Sequence, residues 1–221
     1  MGFLEMIDEV SKNVFFLQSS NQSCNAFLLV GKKLCLVDSG LSSNSGFLQA
    51  SLKQVGFSPE DIELILHTHG HADHFCADFL FKKAQVRMSE FDAFRISVKD
   101  SMFSCSESFG ETFFPKINST FQANELIQNP PFNLQVIATP GHTEGSVCFF
   151  EKSNKLLFSG DTLFNNGVGR FDLISGSRQK LNASLDALAR LDFETLLPGH
   201  GSVLKSGMKQ NIKNAVETLF V

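Results

Sequence analysis

Four of the six histidines in this chain, together with an aspartate, share the eight residues HTHGHADH at positions 67 to 74. Imidazole nitrogens and carboxylate oxygens are the donors that zinc and its transition-metal neighbours prefer, and a hydrolytic centre of that kind keeps one position open for water. His69, His71, Asp73 and His74 are therefore candidate metal ligands. His69 and His71 are two residues apart, so in an extended segment both project to one side. Asp73 and His74 open what reads as a helix and can aim at a second point nearby. The remaining histidines sit in two similar settings. His142 lies in TPGHT, directly after the apolar run LQVIA, and His200 lies in LPGHG, after FETLL, with Pro and Gly setting each turn. Asp161, in LLFSGDTLF, closes a further apolar run. Four apolar runs thus end in metal-binding chemistry.

Those ends must be delivered by strands. The runs NVFFLQS, CNAFLLV and KLCLVDSG read as short strands separated by Gly, Lys and Ser/Asn turns. SSNSGFLQASLKQVGF has the helical apolar stripe Phe47, Leu48, Leu52, Val55, with Gly56 near its end. IELILHTH is a buried strand running into the histidine loop, ADHFCADFLFKKA a helix, QVRMS a strand and EFDAFRISVKD a helix. Residues 100 to 129 show neither period; their Phe103, Phe109, Phe113 and Phe114 fit either a lid over an apolar tail or core and dimer contacts. Strand patterns return in FNLQVIAT, GSVCFFE and KLLFSGD. RQKLNASLDALARL then reads as a helix, TLLPGH as a strand and GMKQNIKNAVETLF as a last helix. Strands alternate with helices in both halves and no linker, charge block or low-complexity tract interrupts them. The expectation is one α/β domain over residues 1–221, with a lid insertion at about 97–129.

Composition narrows the partners. The chain has 221 residues, is 43% hydrophobic and 19% charged, and carries a net charge of −4. This is an ordinary globular balance, and the acidic excess disfavours nucleic acid as a partner. No apolar run reaches the roughly 18 residues that span a bilayer, and MGFLEMIDEV lacks the basic start of a secretory signal. Five cysteines at wide spacing, with no C-x-x-C pair, read as reduced thiols of a cytoplasmic protein, and Cys24, Cys35 and Cys148 as small core hydrophobes. The expected partner is a small-molecule substrate, with no nucleic acid or membrane and a homodimer open. The chain has 24 Phe but no Tyr and no Trp, so no phenol or indole can donate a hydrogen bond anywhere in it.

H-x-H-x-D-H followed by PGHT, by GDT at a strand end and by PGHG resembles the metallo-β-lactamase-fold superfamily over nearly the whole chain, from Asp38 in LVDSG to the terminal helix. The resemblance implies an αββα sandwich, two mixed β-sheets with helices on their outer faces. It implies one metal held by His69, His71 and His142 and a second by Asp73, His74 and His200, with Asp161 bridging them. Two divalent ions, zinc foremost with iron or manganese as substitutes, would lower the pKa of a shared water and polarise the attacked carbonyl. Asp73 would also orient the resulting hydroxide, and Asp38 would support the ligands by hydrogen bonding. His67 stands where the family has an apolar residue, so it is expected in the core or beside a ligand, not on a metal.

Within the superfamily, Asp161 replaces the Cys or Ser of several β-lactamases, His71 replaces the Glu of flavodiiron proteins, and Phe164 stands where lactonases place a Tyr. GDTLFNNGVGRFDLISGSRQKLNASLDAL is similar to the glyoxalase II-like branch, with its GDTLF, G-R-x-D and L-x-x-S-L helix. That makes Arg170 and Asp172 candidates at the rim of the site, Arg170 as a two-pronged carboxylate holder or the two as a mutual pair. The chain ends about twenty residues after PGHG, short of the extra helical domain that helps hold glutathione in that branch. The expected activity is dinuclear hydrolysis of a thioester or related small ester. The alternatives are a persulfide dioxygenase with one iron on His69, His142 and Asp161, and a non-catalytic metal-binding protein on the same scaffold.

Overall fold

In the computed structural model, which describes residues 7–19 and 22–220, two sheets stack face to face. The first contains β1 (Asp8–Ser11), β2 (Val14–Leu17), β3 (Ala26–Val30), β4 (Leu34–Val37), β5 (Leu64–Leu66), β6 (Gln85–Ser89) and β7 (Ser119–Phe121), in that order. Its β1–β4 pairings are antiparallel and its β4–β7 pairings parallel. The second runs β12 (Thr195–Pro198), β11 (Leu156–Gly160), β10 (Val147–Glu151), β9 (Phe132–Ala138), β8 (Leu126–Asn129). There the β11–β12 pair is parallel and the rest antiparallel. Both sheets are thus mixed. The helices are α1 (Ser45–Val55), α2 (Ala72–Phe75), α3 (Glu90–Ser97), α4 (Arg178–Leu188) and α5 (Met208–Thr218).

Side chains alternate across each strand, and here both faces are buried, so the central strands are apolar throughout. Phe27, Leu29 and Val37 meet Val136, Phe149, Phe158 and Leu197 between the sheets. Leu28, Leu36 and Ile65 point outward onto Leu48 and Leu52 of α1. On the other side Cys148, Phe150, Leu157 and Leu196 pack on Leu181, Leu185 and Leu188 of α4 and Ile212 and Ala215 of α5. The layers are therefore helix, sheet, sheet, helix: the αββα sandwich of the metallo-β-lactamase fold. The stop of α1 is Gly56 in the left-handed region, its amide returning to the Leu52 and Lys53 carbonyls.

The topology decides where chemistry can collect. α1 carries the chain from β4 back to its parallel neighbour β5, and α4 does the same from β11 to β12. β9 is antiparallel to β10, which is antiparallel to β11, so β9, β11 and β12 all run the same way. The residues just beyond β4, β5, β9, β11 and β12 gather at one edge of the sandwich, the place where open α/β sheets bind ligands.

Three details differ from the sequence reading. The helix expected after HTHGH is only the four-residue α2, followed by a 3-10 stretch over Cys76–Leu80. The loop after β4 diverts its ladder: Ser39 and Gly40 both donate to the His74 carbonyl, and the segment's own Ala77 amide donates to the Gly40 carbonyl. The edge strands β1, β7 and β8 were not anticipated, because a three- or four-residue edge strand carries too little periodicity to read. Consequently residues 119–121 and 126–129, within the stretch expected as a lid insertion, belong to the two sheets. No helix among the described residues is long and apolar enough to cross a membrane, and all five cysteines are unpaired.

Phe158 is fully buried and packs edge-on against Phe27 at 5.5 Å between the sheets. Phe158→Ala is expected to lower the unfolding free energy by about 3–5 kcal/mol in urea titrations. A loss below about 1 kcal/mol would mean that this interface is not the main core.

Candidate metal centre

Each predicted ligand arrives from a strand end. His69, His71, Asp73 and His74 follow β5, His142 follows β9, Asp161 follows β11 directly, and His200 follows β12. Gly160, immediately before Asp161, adopts φ +48°, and a side chain there would collide with Thr68. A glycine at that point lets the two ligand loops touch. The PGHG turn is held by Asn25, whose side-chain amide donates to the Pro198 and Gly201 carbonyls at 3.0 and 2.9 Å.

The cluster is almost entirely withdrawn from water. His69, His71, His74 and His142 are buried, Asp73 and Asp161 nearly so, and His200 is about one-third exposed on its side chain at 32%. Donor atoms of His69, His71 and His142 lie within 4.8 Å of one another, as do those of Asp73, His74 and His200, and those of His69, His74 and Asp161. The third set joins the first two.

The outer nitrogens define the tautomers. His142 Nδ1 donates to the Arg170 carbonyl oxygen at 2.6 Å, and a carbonyl can only accept. Thr68 spends its hydroxyl proton on Asp38 at 2.8 Å, so His69 Nδ1 must donate to Thr68 Oγ1 at 3.1 Å. Both rings are then left with a lone pair on Nε2, and these two nitrogens face each other at 3.2 Å. Two lone pairs so placed repel unless a cation lies between them. On the other side His74 Nδ1 donates to Asp38 at 2.9 Å, and its Nε2 points at Asp161 Oδ1, 3.3 Å away. His71 Nε2, His74 Nε2 and Asp161 Oδ1 are buried with no hydrogen-bond partner. Buried polar atoms are ordinarily satisfied. These donors fit a metal ion better than they fit one another.

Proton affinities tell the same story. Burial, reinforced by the neighbouring imidazoles, holds His69 well below the usual histidine range and His71 down at about 3; burial also lowers His142. These three rings are neutral, which is the ligating form. His74 behaves oppositely: burial opposes its charge, but Cys24, Asp38, Asp161 and Asp73 outweigh burial and raise it well above the usual range. Burial would raise Asp161, yet His74 and His200 bring it below the ordinary carboxylate value. A proton on His74 thus takes the charge that a bound cation would supply.

Asp38 holds the cluster together from behind. It lies in the left-handed region at φ 56°, just past β4. Its Oδ1 accepts from the Thr68 amide at 2.9 Å, and its Oδ2 accepts from the Thr68 hydroxyl and His74 Nδ1. His67 is a member of none of these donor sets. It is fully buried between Asp78, 2.8 Å from its Nε2, and Asp38, 3.4 Å from its Nδ1. Burial disfavours its charge, but Asp78 and Asp38 prevail and raise it to about 9.

A cavity of about 310 Å³ opens over Asp73, His142, Asp161 and His200, walled by Phe109, Phe164, Val168, Leu173, Cys105 and Ser108. Phe164 packs edge-on against the His200 ring at 5.9 Å. Of the four phenylalanines in residues 100–129 singled out above, only Phe109 faces this cavity. Phe103 is buried against His71, Phe113 packs on Phe79 and Phe114 on Phe75. Arg170 reaches the cavity wall, but Asp172 receives its Nε and Nη2 at 2.9 and 2.8 Å, both side chains being exposed. The mutual pair is what forms. Sequence reasoning missed Asn25, Asp78 and Asp92. Asp78 and Asp92 sit in segments that read as helices, where an acid looks like part of a solvated face.

A helix–sheet–sheet–helix sandwich with a buried histidine–aspartate cluster beyond its strand ends is the architecture of a metallohydrolase. The chain belongs to the Metallo-beta-lactamase superfamily, whose profile matches residues 21–200. It is 32% identical over 196 residues to a probable metallo-hydrolase of Methanocaldococcus jannaschii, covering 85% of this chain and 92% of that protein. It is 27% identical over 201 residues to the hydroxyacylglutathione hydrolase GloC of Haemophilus influenzae, covering 86% and 90%. Among solved structures, the protein TTHA1623 in a di-iron-bound form superposes with a TM-score of 0.72 at 27% identity, covering 88% of this chain and 96% of that one.

Removing His67 would leave buried Asp78 without the cation beside it and Asp38 with His74 alone. His67→Ala is expected to cost about 3–5 kcal/mol in denaturant unfolding of the metal-free protein. Asp78→Asn, which removes one of the two charges instead, should cost less. Wild-type stability in His67→Ala would show that Asp38 and Asp78 need no cation between them.

Proposed function

We propose that this chain is a dinuclear metallohydrolase that cleaves a thioester of a small acyl group. The observation that carries the reading is the pair of opposed lone pairs on His69 Nε2 and His142 Nε2, 3.2 Å apart, in a cluster whose two donor sets are joined by a third made of His69, His74 and Asp161. His69, His71 and His142 would hold one ion, Asp73, His74 and His200 the other, and Asp161 both. When bound, such ions supply Lewis acidity that activates water and polarises a carbonyl near neutral pH. Zinc, iron and manganese all suit these ligands.

The chain's own residues would do the rest. Asp73 lies at the cavity floor with Oδ2 3.1 Å from His200 Nε2, placed to orient the attacking water and take its proton. Asp38 and Thr68 keep the imidazoles turned with their lone pairs inward. Phe109, Phe164, Val168 and Leu173 form an apolar wall that accepts a neutral acyl group and limits water access. Because Arg170 is already paired with Asp172, the wall offers no free guanidinium for a carboxylate. The similarity to GloC of Haemophilus influenzae supports a hydroxyacyl thioester as the substrate class.

Metal analysis of the purified protein, followed by thiol release from S-lactoylglutathione, tests this directly. Two ions per chain with turnover that a chelator abolishes and added metal restores is the expected result. One iron per chain with oxygen uptake on glutathione persulfide would replace the hydrolase reading by sulfur oxidation. Bound metal without turnover of thioester, lactone or phosphodiester would leave a binding protein. Asp161→Ala should lose at least one ion. It should also lose more activity than the about 10–100-fold that typically follows loss of a ligand's hydrogen-bond partner. Full metal content and rate in that variant would refute the bridging role.

A further inference from the structure

We infer that Asp92 is the positioning residue of the trihistidine half of the centre: its carboxylate clamps the backbone between His69 and His71 to the turn that carries His142. The inference rests on reading the histidine cluster as a metal centre, as proposed above. Asp92 lies in the first turn of α3 and is fully buried. Its Oδ2 accepts from the Gly70 amide at 2.8 Å and from the Thr143 hydroxyl at 2.8 Å, and its Oδ1 accepts from the Gly145 amide at 3.1 Å. Gly70 stands between two ligands of one set, and Thr143 is the neighbour of the third. One side chain therefore ties together the two loops that must converge on one point, although those loops leave strands of different sheets.

The contact is close. A Cβ at Gly70 would lie 2.9 Å from the Phe103 ring and 3.2 Å from the Asp92 Cβ, so only glycine lets the loop sit this deep against α3. Thr143 is fixed in turn by Ser146, whose Oγ accepts from the Thr143 amide at 2.9 Å and lies 2.9 Å from the Thr143 hydroxyl. Among the described residues Asp92 forms no ion pair; Arg95, one turn on, is taken by Asp100 and stacks on Phe91 and Phe103. Burial raises Asp92 to about 6, so at neutral pH it stays ionised on three dipolar donors alone. A buried anion without a cation of its own is costly. Asp38 differs in reaching both halves, binding His74 directly and His69 through Thr68, whereas Asp92 reaches only the loops of the trihistidine set.

Co(II) titration of the chelator-stripped full chain, followed by visible absorption, tests the role without relying on turnover. The binding step lost in His142→Ala is the trihistidine step. In Asp92→Asn, an amide N–H would oppose a backbone N–H. That variant is expected to weaken the trihistidine step by about 10–100-fold while the other step stays within about threefold. Thr143→Val should weaken the same step by less, and Thr143→Ser should restore it. Equal shifts in both steps, or none in either, would overturn the inference and leave Asp92 a residue of the fold alone. If Asp92→Asn does not fold, the Thr143 pair decides, and an unchanged trihistidine step in Thr143→Val overturns it. A wild-type chain that takes up no Co(II) overturns both the metal reading and this inference. A chain that binds Co(II) but hydrolyses no thioester sinks the substrate assignment only.

Discussion

The Asp38 carboxylate is the contact on which the rest of the centre depends. It sits one residue beyond β4 in a strained left-handed conformation. From there it takes the Thr68 amide, the Thr68 hydroxyl and the His74 ring, and faces His67. Through Thr68 it also selects the tautomer of His69. One anion thus settles that two imidazoles present Nε2 to the centre of the cluster. Burial would raise its proton affinity, but His74 and His67 hold it down at about 2, so it is an anion near neutral pH.

That anion can be buried because the sandwich is built around it. The layers place apolar strands on both sides of the site, and the low polarity they create strengthens every charge inside. The same low polarity makes opposed lone pairs and orphaned carboxylate oxygens expensive. The cluster consequently has an unfavourable balance as protein alone, and His74 answers by holding a proton that its neighbours stabilise. A divalent cation removes the conflict at its source. Stability of the fold and chemistry of the site are linked through this one electrostatic debt.

The cavity above the cluster has a polar floor and a largely apolar wall, with Ser108 and the paired Arg170 among its apolar side chains. Its single guanidinium is neutralised by a neighbour two residues away. A molecule entering this cavity would meet the apolar wall and the polar floor, with no unpaired guanidinium beside them. The absence of tyrosine and tryptophan sharpens this, since no aromatic hydroxyl or indole N–H is available to mark a substrate oxygen.

Much of this was legible in the linear sequence. Histidine spacing and the strand-end settings of His142, Asp161 and His200 point to residues that do come together, because a strand end is a local feature with local signals. The apolar runs likewise announce the central strands. Asp78, Asp92 and Asn25 were not legible. In a helix-like segment a buried acid and a solvated one look identical, and their partners lie on other elements. The same holds for the short α2, whose ladder is diverted by hydrogen bonds with Ser39 and Gly40. The sequence by itself determined which side chains can bind metal and which strands deliver them. Only the tertiary structure decided which nitrogen of each ring faces inward, because that depends on hydrogen bonds from residues distant in the chain that burial brings together.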